Sequence, residues 1–162
     1  QMADAEAVVA GLPRRDDVTY IALVLNRRGA ERALASGVDE LGAVCVASDT
    51  FGIRNQGQTA AESLAVACET VALARAAGRA AQITIATAFG CPFEGEVPID
   101  RVVEMAKRAA DAQPREVALA DTIGVAGPPR AMSRPRTCSI CSIARESPPV
   151  TIARWRSTPH PG

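Results

Sequence analysis

Ile83-Thr84-Ile85-Ala86-Thr87-Ala88-Phe89-Gly90-Cys91-Pro92-Phe93-Glu94-Gly95 reads as a buried strand that breaks into a rigid loop and hands over to a helix. The apolar, β-branched run has strand length, while Pro92 fixes one torsion and Gly95 permits an unusual one. Pro98 suits a first helical turn, and Val102, Met105, Ala106 and Ala109 then repeat at helical spacing. Glu116 to Ala120 supplies the next strand and ends in Asp121-Thr122-Ile123-Gly124. Strand, loop, helix and strand in this order form the repeating unit of parallel α/β proteins, whose chemistry sits at the outgoing strand ends.

The same alternation extends upstream. Ala3 to Leu12 reads as helical, and Tyr20-Ile21-Ala22-Leu23-Val24-Leu25 is a continuous apolar run that predicts a strand buried on both faces. Arg28 to Ser36 reads as a short helix with Gly37 at the left-handed position past its end, and Ala43 to Ala47 as the next buried strand. Thr59-Ala60-Ala61-Glu62 fits a capping box, and Leu64, Cys68, Val71 and Ala74 follow on one helical face that stops at Gly78. No glycine-rich dinucleotide fingerprint follows any strand. A complete eight-stranded barrel needs roughly 200 residues or more. The expected fold is therefore α/β, a partial (β/α)8 barrel of about four parallel strands alternating with helices, with an irregular C-terminal tail. Open sheet edges in such a fold invite self-association.

Composition excludes several classes. Lys+Arg and Asp+Glu are equal at 18 each in 162 residues, so no nucleic acid or other polyanion partner is implied. Apolar runs are short and broken by charge, which predicts no membrane span, and no secretory leader opens the sequence. Cytoplasmic location is the expectation. Five cysteines form an odd set on apolar strand and helix positions, which suits reduced, buried thiols.

Four stretches carry a family signal in order: Gln1-Met2-Ala3-Asp4, Ala47-Ser48-Asp49-Thr50-Phe51, Phe89 to Gly95, and Asp121-Thr122-Ile123-Gly124-Val125. Together they resemble hydroxymethylglutaryl-CoA lyase and its bacterial relatives, from Gln1 to about Gly127. The Gly-Cys-Pro-aromatic-Glu-Gly loop belongs to the lyase branch, where the related isopropylmalate and homocitrate synthases carry a different acidic sequence, whereas Asp-Thr-Ile-Gly is shared across the wider superfamily. The resemblance implies residues 1–127 as family strands three to six. It also implies retro-aldol cleavage of an acyl-CoA to acetyl-CoA and acetoacetate, in leucine degradation, assisted by a divalent cation, Mg or Mn. Such a cation stabilises developing oxyanion charge.

By that resemblance Asp121 is the catalytic carboxylate beside the substrate hydroxyl, and Thr122 contacts substrate. Asp121 also has a plainer reading, the cap of the turn that follows. Ser48 and Asn26 also end strands and are candidate substrate contacts, with turn formation the stronger reading for both. Glu94 and Cys91 read as loop architecture and a buried thiol. At Thr84 the family carries a tyrosine. The family's metal is held by an aspartate on its first strand, a His-x-His pair on its seventh and a later asparagine, and none of these occurs here. The sole histidine is His160. The expectation is that this chain binds no metal and is inactive alone, as a fragment of a lyase-like enzyme. The alternatives are a non-catalytic interaction fragment and a synthase of the isopropylmalate type.

From Pro128 to Gly162 the character changes to proline, arginine and serine, as in a tail read from a shifted frame of a GC-rich gene. Cys138-Ser139-Ile140-Cys141 lacks a second ligand pair for zinc, and Trp155 is one aromatic in a basic tail. Both read as incidental.

Overall fold

The computed structural model describes residues 4–125 in full, and the backbone of 140–144 and 151–153. Gln1-Met2, the Gly127 junction, the Cys138 to Cys141 pair as a unit, Trp155 and His160 lie outside the described residues. A short helix α1 (Ala5–Gly11) precedes β1 (Ile21–Val24), α2 (Arg27–Ala35), β2 (Glu40–Val46), α3 (Asp49–Gln56) and α4 (Ala60–Ala76). β3 (Ala80–Ala86), α5 (Ile99–Asp111) and β4 (Glu116–Ala120) follow, then β5 (Ile140–Ala144) and β6 (Thr151–Ala153).

The strands lie in sequence order, and β1 to β4 are parallel. This is the partial barrel wall that the alternation predicts. β5 then pairs antiparallel with β4, and β6 with β5. The sheet therefore extends into the stretch expected to be irregular.

Helices α2, α4 and α5 cover one face and touch in series. Beneath them Leu41, Ala43 and Cys45 of β2 and Ala81, Ile83 and Ile85 of β3 meet Leu64, Ala67, Val71 and Ala74 of α4. Val102, Met105 and Ala109 extend this layer from α5. Alternation of side chains along a strand puts Ile21, Leu23, Val44, Gln82, Thr84 and Ala118 on the other face. Burying the Cys45 thiol here pushes its pKa up to about 12, which keeps it protonated.

Two local expectations need correction. β1 is not buried on both faces: among the described residues it is the sheet's edge, and Ile21 and Leu23 are exposed while Val24 lies under the helix layer. Helix α3 has no counterpart in the sequence reading, because Asp49-Thr50-Phe51-Gly52-Ile53-Arg54-Asn55-Gln56 shows no clean apolar stripe. It is nonetheless well bounded. Ser48 Oγ accepts from Phe51 N at its start, and Gly57 at φ 69° ends it. The capping box at α4 forms as read, with Thr59 Oγ1 and Glu62 each satisfying the other's backbone N–H.

Candidate functional site

The outgoing ends of β1 to β4 bring Asn26, Ser48, Thr87 and Asp121 to one rim of the sheet. Neighbouring strands are about 4.8 Å apart, which places Asn26 roughly 14 Å along the rim from Asp121. Asn26 Oδ1 accepts from Gly29 N at 2.8 Å and so caps α2. Its side chain turns to α2 and away from the other three. The turn role that its sequence position favours is the one its geometry serves.

At the β3 and β4 ends the rim is tightly built. Thr87 is fully buried and left-handed at φ 54°, an uncommon state for a β-branched residue. Its N–H donates to Thr122 Oγ1 at 2.7 Å, and its own hydroxyl donates to the Ala86 carbonyl at 2.7 Å. Asp121 is 8% exposed, and its Oδ1 accepts from Val125 N at 2.9 Å, closing the turn that carries Thr122. Thr122 itself is exposed. Gly90 lies under this turn: a Cβ there would stand 2.7 Å from Val125 Cγ2. Absence of a side chain at 90 is what lets the two loops meet.

The loop from Ala88 to Gly95 is held down on α3 by three independent contacts. Ser48, fully buried, donates from Oγ to Cys91 Sγ at 2.9 Å, and the amides of Phe93 and Glu94 also donate to that sulfur at 3.4 Å. Burial pushes the Cys91 thiol up, but these three donors outweigh it and leave the pKa below the ordinary thiol value. Glu94 Oε1 accepts from Thr50 N at 2.6 Å, in the first turn of α3. The Thr50 amide and then the Thr50 hydroxyl hold the Glu94 carboxyl below its usual range. Phe93 packs with its ring centre 6.3 Å from that of Phe51, under the Arg54 guanidinium at 4.4 Å. Cys91 and Gly95 bridge the loop's own base, with Gly95 at φ 79°.

A second carboxylate fixes the other side of α3. Asp49 Oδ1 accepts from Ala60 N at 2.8 Å, and Oδ2 pairs with Arg101 of α5 at 2.9 Å. The amide of Ala60 and then the Arg101 guanidinium hold its carboxyl low. Thus Ser48, Cys91 and Glu94 come together, and Asp121 and Thr122 come together with Thr87. Sequence reasoning passed over Thr87, Thr50 and Arg101, whose partners lie 35 to 52 residues away.

Among the described residues no three His, Cys, Asp or Glu side chains converge on a cation position. Asp49 is taken up by Ala60 N and Arg101, Glu94 Oε1 by Thr50 N, and Asp121 Oδ1 by Val125 N. A hard divalent cation takes about six oxygen ligands. The described residues alone do not fit it. Nor is any described helix long and apolar enough to cross a membrane.

A family profile described as HMGL-like matches residues 1–139. The hydroxymethylglutaryl-CoA lyase YngG of Bacillus subtilis is 36% identical over 127 residues, covering 78% of this chain and 42% of that one. The cytoplasmic 3-hydroxy-3-methylglutaryl-CoA lyase of Homo sapiens is 34% identical over 153 residues, covering 94% of this chain and 40% of the relative. Among solved structures, the HMG-CoA lyase of Bacillus subtilis superposes with a TM-score of 0.73 at 36% identity, over 76% of this chain and 41% of that chain. The HMG-CoA lyase of Acinetobacter baumannii, solved with coenzyme A and 3-methylmalate, gives 0.73 at 34% identity, over 77% of this chain and 41% of its own. The chain thus spans about two fifths of the length of these relatives.

Proposed function

Since the chain belongs to the HMGL-like family, we propose that it forms the β3–β4 rim of a carbon–carbon lyase that cleaves hydroxymethylglutaryl-CoA. In that reaction the tertiary hydroxyl loses its proton and becomes the carbonyl of acetoacetate. The adjacent carbon–carbon bond breaks, and its electron pair passes to the enolate of acetyl-CoA. Asp121 stands beside the substrate hydroxyl in this reading. Thr122 accepts the Thr87 N–H, which turns its own hydroxyl hydrogen toward substrate. The observation that carries the proposal is this joint fixing of Asp121 and Thr122 at the end of β4, above a lyase-type loop clamped to α3.

A divalent cation, Mg or Mn, supplies oxyanion stabilisation in the family reading, but no step here runs through it. The chain is inactive by itself in this proposal. Ser48 and Asn26 serve as caps, and any substrate contact from them is secondary. A cytoplasmic location and a place in leucine degradation belong to the same reading.

Two measurements test it. The purified chain with Mg or Mn should release no acetyl-CoA from hydroxymethylglutaryl-CoA, and turnover would overturn the claim of inactivity. Residues 20–125, grafted in place of the matching segment of the Bacillus subtilis lyase, should support cleavage that Asp121→Asn abolishes. A folded graft that cleaves equally well with Asn at 121 would sink the assignment. Condensation of acetyl-CoA with a 2-oxo acid by that graft would instead mark the synthase alternative. A non-catalytic association role has one observation in its favour, the side chain of Leu23, 70% exposed among the described residues.

A further inference from the structure

Below the rim the two faces of the sheet are filled differently. Cys45, Ile83, Ile85 and Val117 belong to the core under the helices, whereas Val46, Ala118 and Ala120 are buried outside it, on the face turned to the barrel interior. Strand register sets Val44, Thr84 and Ala118 side by side on that face, and one step further Val46, Ala86 and Ala120, immediately before the rim residues. At the incoming end the same face becomes charged. Arg115 donates from Nε to Glu40 Oε1 at 2.9 Å and from Nη2 to Gln82 Oε1 at 3.2 Å, and Glu40 is 2% exposed. Interiors of (β/α)8 barrels are packed in layers of four side chains, mostly valine, isoleucine and leucine. Between the rim and this charged floor, β3 and β4 supply Thr84, Ala86, Ala118 and Ala120 instead.

Resting on the lyase reading above, we propose that these four residues form the specificity wall of the Asp121 site, and that the substrate is a 3-hydroxyglutaryl-CoA whose branch on the hydroxyl-bearing carbon is an alkyl chain longer than methyl. The other groups on that carbon fix the choice. With Asp121 beside the hydroxyl, the thioester arm leaves through the mouth, because coenzyme A is too large for a packed barrel interior. The carboxylate arm stays among the polar groups of the rim, since an ionised carboxylate buried against alanines loses its hydration without a partner. Only the branch remains to run down the wall. Each methylene removed from water there adds to binding, whereas a methyl group would leave the wall without contacts. Two inward positions on each strand, about 6.6 Å apart, give depth for several carbons before the Glu40 and Arg115 floor. The bond that breaks is unchanged: the branch departs in the 3-oxo acid, and acetyl-CoA is the other product.

The graft of residues 20–125 in the Bacillus subtilis lyase tests this, with the intact lyase assayed beside it. The readout is kcat/KM for 3-hydroxy-3-pentylglutaryl-CoA divided by that for the methyl compound. The graft should raise this ratio by about tenfold or more over the intact lyase, since one buried methylene is a factor of roughly four. Thr84→Tyr and Ala118→Leu in the graft should each return the preference toward methyl. An unchanged ratio in the graft, or one indifferent to both substitutions, would overturn the inference. A folded graft that cleaves neither compound counts against the lyase reading instead. Calorimetric binding of the two compounds to that graft then decides the wall, and equal affinities overturn it. If the graft does not fold, threonine placed in the intact Bacillus subtilis lyase at the position matching Thr84 should move the ratio the same way, and no movement overturns the inference.

Discussion

Thr87 donates its backbone N–H to Thr122 Oγ1 across 2.7 Å, so that a buried, left-handed residue at the end of β3 is satisfied by a side chain at the end of β4. Thr122→Val keeps the shape and removes the acceptor, leaving a buried donor unpaired. The expected loss is about 1–3 kcal/mol, read as a lower urea midpoint at unchanged slope. Thr122→Ser keeps the hydroxyl and should retain most of that stability. Equal effects of the two substitutions would show that the hydrogen bond contributes nothing.

Gly52 sits inside α3, where alanine would ordinarily favour the helix. Here a Cβ would stand 2.4 Å from the Gln58 carbonyl oxygen and 2.7 Å from Val46 Cγ2. Overpacking against backbone outweighs propensity, and Gly52→Ala should destabilise by about 1–3 kcal/mol. Thermal melting of the variant decides the sign.

Cys91 reports on the loop that covers it. Its thiol is 2% exposed, so alkylation by iodoacetamide requires the loop to lift. Glu94→Ala removes the carboxylate from Thr50 N without touching the sulfur's own donors. Mass spectrometry should find Cys91 labelled several-fold faster in that variant, with Cys45 unchanged. Unaltered Cys91 labelling would mean that Glu94 does not restrain the loop.

Acid should release the same clamp. Glu94 and Asp49 both have folded-state pKa values below the ordinary carboxylate range. Their stabilisation is therefore complete above the unfolded-state values of about 4, and is lost as pH falls through the lower folded-state values. Melting temperature should drop over that window. The double variant Glu94→Gln and Asp49→Asn should start lower at neutral pH and show a flatter acid limb.

The alternation of strand and helix is legible because Ile83 to Ala86 and Leu64 to Ala74 keep different periods, and the capping box at Thr59 marks its helix without help from elsewhere. Helix α3 escapes notice because side-chain contacts rather than an apolar stripe fix it: Ser48 caps it, Glu94 accepts from Thr50 N, and its own Asp49 reaches Ala60 N. Ser48 followed nine residues later by Gly57 is the signal that marks it. The end positions of Asn26, Ser48 and Asp121 follow from strand boundaries. The local partners of Asn26 and Asp121, Gly29 N and Val125 N, suit the cap and turn readings, but Cys91 beside Ser48, the Thr87 torsion and the Arg101 guanidinium on Asp49 depend on how distant segments pack. The exposure of Ile21 and Leu23 is illegible for a related reason. An apolar strand has the same sequence whether its second face is covered or bare.

The clamp also bears on the order of assembly. Ser48 and Cys91 are 43 residues apart in sequence, and Thr50 and Glu94 are 44 apart. Closing so large a loop before β2 and β3 have registered would be entropically unfavourable. The expected order therefore has these contacts forming after the folding barrier. Weakening them should leave the refolding rate nearly untouched and hasten unfolding instead. The hydrogen bonds around Cys91 and Glu94 thereby set the lifetime of the folded rim more than the speed at which it is reached.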